Sequence, residues 1–465
     1  MKNVKYFFLL AIFVCVVLLS TIILYRNSSF KQQKTQKTSP IYSVQDYIRI
    51  AEYFGDRDDF KKSVKFCEKA LGLDKDNIVA TIRLASAYFN LGQYDKSIDY
   101  FKKAYRLRPD AKKLLFGLGE VLYKRRNDVA YAAKFLEEYL KIEDNNYKAY
   151  LILYDCYAKL GDFKKMREVQ KKRDALFLAL GITREIPKEW NGSDPKNKTI
   201  LLRDNVGIGD IFCWLRYAKK LKEQGAKVIL ETRAFLIPIL EQSGCIDSFV
   251  AKGDVLPYFD YQITVGSMPD FFVHSEDDLK TEIPYMKAND RLQKVWDMRF
   301  SKEKNFKIGI CWEPGKYPSK KGGFMENWRA MPLSFLLPLS RMQNVTLYSL
   351  QCVNGMGQLK SLANDFKIRT FGPQFDRLHG SFSDTAAVIK NLDLVITVDT
   401  SIAHLAGALG AQVWMLLPLV ADWRWLSDEH KTALYPTMRL FRQHELEDWE
   451  SVVSRVYSEL CKIVS

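Results

Sequence analysis

DTSIAHLAGALG, residues Asp399 to Gly410, is the stretch whose reading decides the fold. Before it, NLDLVITV (Asn391 to Val398) is a short, β-branched run with little charge, which predicts a buried parallel strand. After it, QVWMLLP (Gln412 to Pro418) predicts another. Two buried strands separated by about a dozen residues need a crossover helix, and Ile402 to Leu409 supplies one that is small and apolar. Asp399, Thr400 and Ser401 then stand at the carboxyl end of a strand and the start of a helix. An open α/β sheet binds ligands there, because unpaired backbone N–H groups and the positive end of the helix dipole favour a phosphate. His404 follows Ser401 by three residues, which puts its ring near the same helix mouth. Ala403, Ala406, Gly407 and Ala408 keep the helix slim.

The same residues also suit a capped core helix, with Asp or Ser as cap and a histidine satisfied by backbone. The order Asp-Thr/Ser-x-x-x-His-Leu-Ala-x-Ala-Leu-Gly resembles the donor-site segment of glycosyltransferase family 9, the heptosyltransferase-like enzymes, and their relatives fused to tetratricopeptide repeats. The resemblance implies a donor site at Asp399, Thr400, Ser401, His404 and Gly407.

A chain of 465 residues is long enough for two or three domains with their own cores. Its net charge of +15 is spread along the chain, with no basic block dense enough for a nucleic-acid arm. Such a charge fits phosphate-bearing ligands or an anionic lipid surface. Eight cysteines, at 15, 67, 156, 213, 245, 311, 352 and 461, form no CxxC pair, so they read as small buried hydrophobes rather than a disulfide frame or zinc site. Tyr6 to Tyr25 is an uncharged, almost wholly apolar run of 20 residues, enough to span a bilayer core of about 30 Å as a helix. Residues 1–27 are therefore expected to be an uncleaved single-pass anchor, and 28–43 a flexible tether. The flanking lysines and arginines lean toward a cytoplasmic C-terminal part.

From Val44 to about residue 181 the chain repeats itself at a period near 34 residues. Phe60, Ser63, Cys67 and Ala70 recur as Tyr94, Ser97, Phe101 and Ala104, and the turn Leu91-Gly92 recurs as Leu160-Gly161. One unit carries an insertion around Asn127. This resembles three to four tetratricopeptide repeats, an α-solenoid with a groove for a protein partner.

Ile182 to Lys198 reads as a linker. Beyond it, Thr199 to Leu202 predicts a strand, Asp210 to Gln224 a helix and Lys227 to Glu231 a second strand. Gly207 and Gly209 in the first turn let the backbone approach a ligand or take positive φ. Asp210 suits a helix cap. The glycosyltransferase resemblance implies another role for it, as the base that deprotonates an acceptor hydroxyl. GxGD departs from the dinucleotide fingerprint, which disfavours a nicotinamide enzyme. Short strands follow around Ser248 to Ala251 and Tyr261 to Val265, and this acceptor half (199–300) is short for the family.

FKIGICW (Phe306 to Trp312) opens a nucleotide half over 305–465. The loop after it carries Gly315, Lys316, Lys320, Lys321, Gly322, Gly323 and Arg329, cations suited to a diphosphate. Lys316 and Arg329 are the expected donor contacts; Arg329-Ala330-Met331-Pro332-Leu333 resembles the family's Arg and Pro-Leu helix start. Phe382 to Asp393 predicts a helix capped by Ser383 or Asp384. Asp422-Trp423-Arg424-Trp425 resembles a segment of the repeat-fused relatives, with Trp423 and Arg424 either stacking on a ligand and clamping phosphate or sealing the core. The last helix, Trp449 to Ile463, is expected to pack across both halves. No metal-ligand cluster and no DxD sugar-nucleotide motif stand in the transferase-like segments, so no metal and no cofactor are expected.

The expected fold is thus α plus α/β: a transmembrane helix, a repeat solenoid and a GT-B-like pair of Rossmann-like halves. The resemblance implies a membrane-anchored glycosyltransferase that moves a sugar from a nucleotide-diphosphate donor to a glycan, lipid-linked or protein hydroxyl. The rival reading is a non-catalytic repeat scaffold at a membrane with a degenerate transferase-like domain.

Overall fold

The computed structural model describes residues 42–109, 111–125, 129–182, 187–315, 329–362 and 366–464. The expected anchor Tyr6 to Tyr25, nearly all of the tether, Asn127 and the cationic loop residues Lys316, Lys320, Lys321, Gly322 and Gly323 lie outside them. Among the described residues no helix is long and apolar enough to cross a membrane.

The chain falls into two compact units, Met1–Arg108 and Pro109–Ser465. The first holds two helix pairs, α1 (Val44–Gly55) with α2 (Phe60–Leu73) and α3 (Ile78–Asn90) with α4 (Tyr94–Leu107). Their 34-residue repeat has a visible cause. The Ser63 hydroxyl donates to the carbonyl of Ala51 at 2.9 Å, and the Ser97 hydroxyl donates to that of Ala85 at 2.8 Å. Each serine is buried and small enough to let the paired helices meet, while its bond satisfies a carbonyl cut off from water. Gly92, at φ +72°, turns the chain between α3 and α4, a conformation that costs a residue with Cβ.

The second unit opens with two more pairs, α5 (Lys112–Arg125) with α6 (Val129–Ile142) and α7 (Tyr147–Lys159) with α8 (Phe163–Ala179). Gly161 repeats the same turn at φ +72°. The segment expected to be a plain linker is partly built into the sheet that follows. Trp190 is buried, its N–H donates to Gln262 at 2.9 Å and Gln262 returns a bond to Lys188 at 2.9 Å, because the edge strand otherwise leaves its ladder groups unpaired.

Two parallel sheets follow. The first comprises β1 (Thr199–Arg203), β2 (Lys227–Thr232), β3 (Ser248–Ala251) and β4 (Tyr261–Thr264), in the order β3-β2-β1-β4, with helix α9 (Ile208–Glu223) after β1. After helix α10 (Asp290–Phe300) comes the second sheet: β5 (Phe306–Cys311), β6 (Val345–Ser349), β7 (Leu394–Val398), β8 (Val413–Leu417) and β9 (Met438–Arg442), in the order β6-β5-β7-β8-β9. Helix α11 (Ser383–Ile389) precedes β7 and helix α12 (Ser401–Ala408) joins β7 to β8. Every residue of β7 and β8 is buried, which is why both read as unbroken apolar runs. Each sheet reverses its strand order beside its first strand, between β1 and β4 and between β5 and β7.

Two elements differ from the sequence reading. Helix α11 is shorter than expected, and neither Ser383 nor Asp384 caps it: Phe382 enters at φ +66°, while Asp384 accepts from the Trp296 indole at 2.9 Å. The last helix, α13 (Trp449–Val464), does not bridge the halves; Val452, Val453, Val456 and Leu460 join the core of the second sheet with Ile308, Leu394 and Leu416. The halves are fastened instead through α9, which packs on α12. Arg216 of α9, with no solvent exposure, donates to the carbonyls of Leu279 at 2.6 Å and Leu434 at 3.1 Å, one from each half, and to the Tyr285 hydroxyl at 3.1 Å. The seven described cysteines are free, and five of them are buried.

Candidate functional site

A cavity of about 810 Å³ opens at the carboxyl ends of β5, β6 and β7, and Ile208 and Phe235 of the first half close it from across the cleft. The reversal of strand order between β5 and β7 makes this crevice, since the connections leaving those two strands diverge to opposite faces. Its polar lining includes Glu313, Ser349, Asp376, Thr385, Thr400 and Ser401, and Phe371, Phe375 and Phe382 supply aromatic walls. The turn after β5 is pinned by Gln351, whose amide oxygen accepts from the N–H groups of Trp312 at 3.2 Å and Glu313 at 3.1 Å, while its nitrogen donates to the Glu313 carbonyl at 2.9 Å. Asp376 accepts from the Thr385 N–H at 3.0 Å and the Thr385 hydroxyl at 2.5 Å. Burial nevertheless pushes its carboxyl up to about 6.

Thr400 and Ser401 stand where the sequence reading put them, at the cavity and at the first turn of α12. Free N–H groups at that turn favour an anion. The other residues of the motif do different work. Asp399 is 2% exposed and set behind the cavity lining; its Oδ2 has no hydrogen bond, and Arg329 Nη1 lies 3.6 Å away. His404 does not line the cavity. Its ring is buried, shares a hydrogen bond between Nδ1 and the Tyr435 hydroxyl at 3.0 Å, and stacks on Trp425 at 5.1 Å between centroids. Burial holds the imidazole down to about 4, so it is neutral near pH 7. Gly407 is a packing glycine rather than a ligand contact: a Cβ there would stand 2.5 Å from Cγ of Tyr435.

The GIGD turn is corrected in the same way. Gly207 has φ −66°, and Gly209 is not among the positive-φ glycines. The close approach at Gly209 is to α12, since a Cβ would meet His404 Cδ2 at 2.9 Å and the Ser401 Cα at 3.4 Å. Asp210 therefore faces the second half, but it does not line the cavity. Both its oxygens are engaged: Oδ2 accepts from the Gly207 N–H of its own helix start at 3.2 Å, and Oδ1 pairs with Arg424 of the second half. Arg424 Nε lies 3.0 Å from Asp422 Oδ1, so one guanidinium lies between two carboxylates. Trp423 and Arg424 do not line the cavity. Trp423 stacks on Trp214 of α9 at 5.9 Å and meets Tyr154 of repeat helix α7 edge-on at 6.3 Å. Of the two roles weighed for this segment, sealing is the one the packing fits. Lys316 lies outside the described residues.

Sequence reasoning missed Glu313, Phe371, Asp376 and Thr385. The available signal was the run Phe366 to Arg369, alternating apolar and polar and followed by Thr370 and Phe371-Gly372-Pro373. Its Arg369 forms a parallel bridge with Tyr348 at the edge of β6, which delivers the next residues to the cavity. Among the described residues no group of three His, Cys, Asp or Glu side chains could hold a metal ion.

The chain carries tetratricopeptide repeats, and that family matches residues 82–149. Protein FlbA of Caulobacter vibrioides is 22% identical over 442 residues, which span 83% of this chain and 73% of FlbA. Among solved structures, YrrB, described as a repeat protein with an unusual peptide-binding site, is 22% identical over 32% of this chain and 73% of its own, with a TM-score of 0.27. MamA of Desulfovibrio magneticus RS-1 is 22% identical over 29% of this chain and 75% of its own, also with a TM-score of 0.27.

Proposed function

We propose that this chain is a tetratricopeptide scaffold whose α/β region keeps a transferase-like ligand cleft without a free base. The observation that carries the reading is Asp210, whose two oxygens are both engaged, one by its own helix start and one by Arg424. A carboxylate held this way is poorly placed to take a proton from an acceptor hydroxyl. On the repeat side, a groove of about 660 Å³ between α6, α7 and α8 is lined by Tyr150, Leu153 and Tyr157, with Lys141, Lys165 and Lys172 around it. That mixture suits a protein or peptide partner. The cavity at the carboxyl ends of β5 to β7, with its aromatic walls and the start of α12, suits a nucleoside diphosphate or its sugar conjugate.

A second reading, a membrane-anchored, metal-independent GT-B glycosyltransferase, is favoured by the placing of that cavity at a point of strand-order reversal and by Asp210 reaching across to Arg424 of the second half. Asp210 would then have to leave Arg424 before accepting the proton of a glycan, lipid-linked or protein hydroxyl. The two readings part in one experiment. The full chain in detergent is titrated calorimetrically with nucleoside-diphosphate sugars, and the same labelled sugars are followed into glycan, lipid and protein fractions. Binding heat without label transfer is the expected result. Label transfer that disappears in Asp210→Ala, with binding kept, would overturn the scaffold reading.

A further inference from the structure

A second cavity, of about 500 Å³, lies behind the first and shares the wall formed by residues 370–373 and Phe375. The reading above gives it no part. Its floor is a cluster of rings. Phe371 and Phe375 stack at 4.6 Å between centroids and 23° between planes, and Trp296 of α10 meets them edge-on at 5.2 Å and 5.7 Å. Trp296 is locked in this orientation by its indole bond to Asp384 at 2.9 Å. Phe371 and Phe375 are half-buried, so part of the stack stays open to the cavity, and Leu378 beside them is 68% exposed. A floor of this kind suits a flat ring, since stacking adds to simple area burial.

The charge at the rim is specific. The Arg369 guanidinium is already taken, bonded to Glu303 at 2.5 Å and to the Tyr348 hydroxyl at 3.2 Å. Asp384 is likewise spent on Trp296, the Asp376 N–H and His379. Arg299 differs. Its guanidinium lies 4.4 Å from the Trp296 ring centroid, and among the described residues it has no carboxylate partner. An exposed, unneutralised guanidinium above an aromatic floor can stack and offer several N–H donors to one anion.

We propose that this cavity is a second ligand site, for a flat ring bearing a phosphate or carboxylate. The ring lies on Phe375, whose neighbour Phe371 is stacked between it and Tyr348, and the anion is held by Arg299 at the end of α10. Because those two phenylalanines also wall the first cavity, a ligand in one site alters the surface of the other, and any such coupling is reciprocal.

The test uses the full chain in detergent micelles, with hydrogen exchange and calorimetry. AMP, UMP and benzoate are the ring-bearing anions, and inorganic phosphate and adenosine the partial probes. At least one ring-bearing anion is expected to slow exchange over residues 296–300 and 369–379, with the partial probes binding at least roughly tenfold more weakly. Arg299→Ala is expected to weaken that binding by roughly tenfold, and Arg299→Lys by less, because the charge is kept and only the fork is lost. Arg299 is exposed, so neither change threatens folding. Protection confined to residues 311–315 and 399–402, unchanged affinity in Arg299→Ala, or no protection by any of the three anions would each overturn the proposal.

Discussion

Asp376 lines the cavity and Asp210 does not, and their neighbours set them different tasks. Asp376 is largely drawn out of water beside Thr385, and among the described residues no cation is bonded to it, so burial holds its proton up to about 6. The folded chain therefore binds this proton between about pH 4 and 6 where the unfolded chain, with a carboxyl at 3.8, does not. Stability from this group is full below about pH 4 and is lost as pH rises through 6. The same titration turns a cavity wall from neutral to negative. A nucleoside-diphosphate sugar, whose diphosphate does not titrate in this range, is expected to bind on the order of fivefold more tightly at pH 5 than at pH 8. Asp376→Asn should flatten that profile in calorimetry, and a profile equally steep in the variant would show that Asp376 is not the titrating group. Thr400 and Ser401 were legible because a strand end followed by a helix start fixes their position. The direction of the His404 ring was not. Helix α12 is buried on every side, so apolar periodicity could not say which flank faces ligand and which faces Tyr435.

At the scale of elements, strands and repeats were read well because their patterns are local. Ser63 and Ser97 announce a helix pair by their spacing, and β7 and β8 announce themselves by composition. Helix α12 shows what spacing leaves out. Gly407 looks like part of a ligand motif, yet the missing Cβ makes room for the Tyr435 ring, whose hydroxyl in turn bonds His404. Gly407→Ala is therefore expected to destabilise the α/β region by about 1–3 kcal/mol through overpacking, seen as a lower urea midpoint. An unchanged midpoint would mean that Tyr435 yields freely. Helix α11 went wrong for a related reason. Ser383 and Asp384 suit a cap because caps are local, but neither caps the helix, and a distant indole from α10 claims the Asp384 carboxylate.

At the scale of the second unit, Arg216 joins the halves by bonding carbonyls from both of them, and the aromatic run Tyr154, Trp423 and Trp214 joins repeat helix α7 to the same seam. Arg216→Met removes the donors and leaves the Leu279 and Leu434 carbonyls buried without them. The expected loss is about 3 kcal/mol or more, read as a shift of the denaturation midpoint followed by tryptophan fluorescence. A loss below about 1 kcal/mol would show that other contacts carry the seam.

The sequence by itself determined the repeat helices, the two parallel sheets and the helix start at Thr400 and Ser401, because each follows from short-range periodicity, small residues and turn chemistry. Only the tertiary structure decided what Asp210, His404, Gly407 and Arg424 do. Each is defined by a partner far away in the chain, Arg424 for Asp210 and Tyr435 for both His404 and Gly407, and burial set by those partners governs charge, direction and fit.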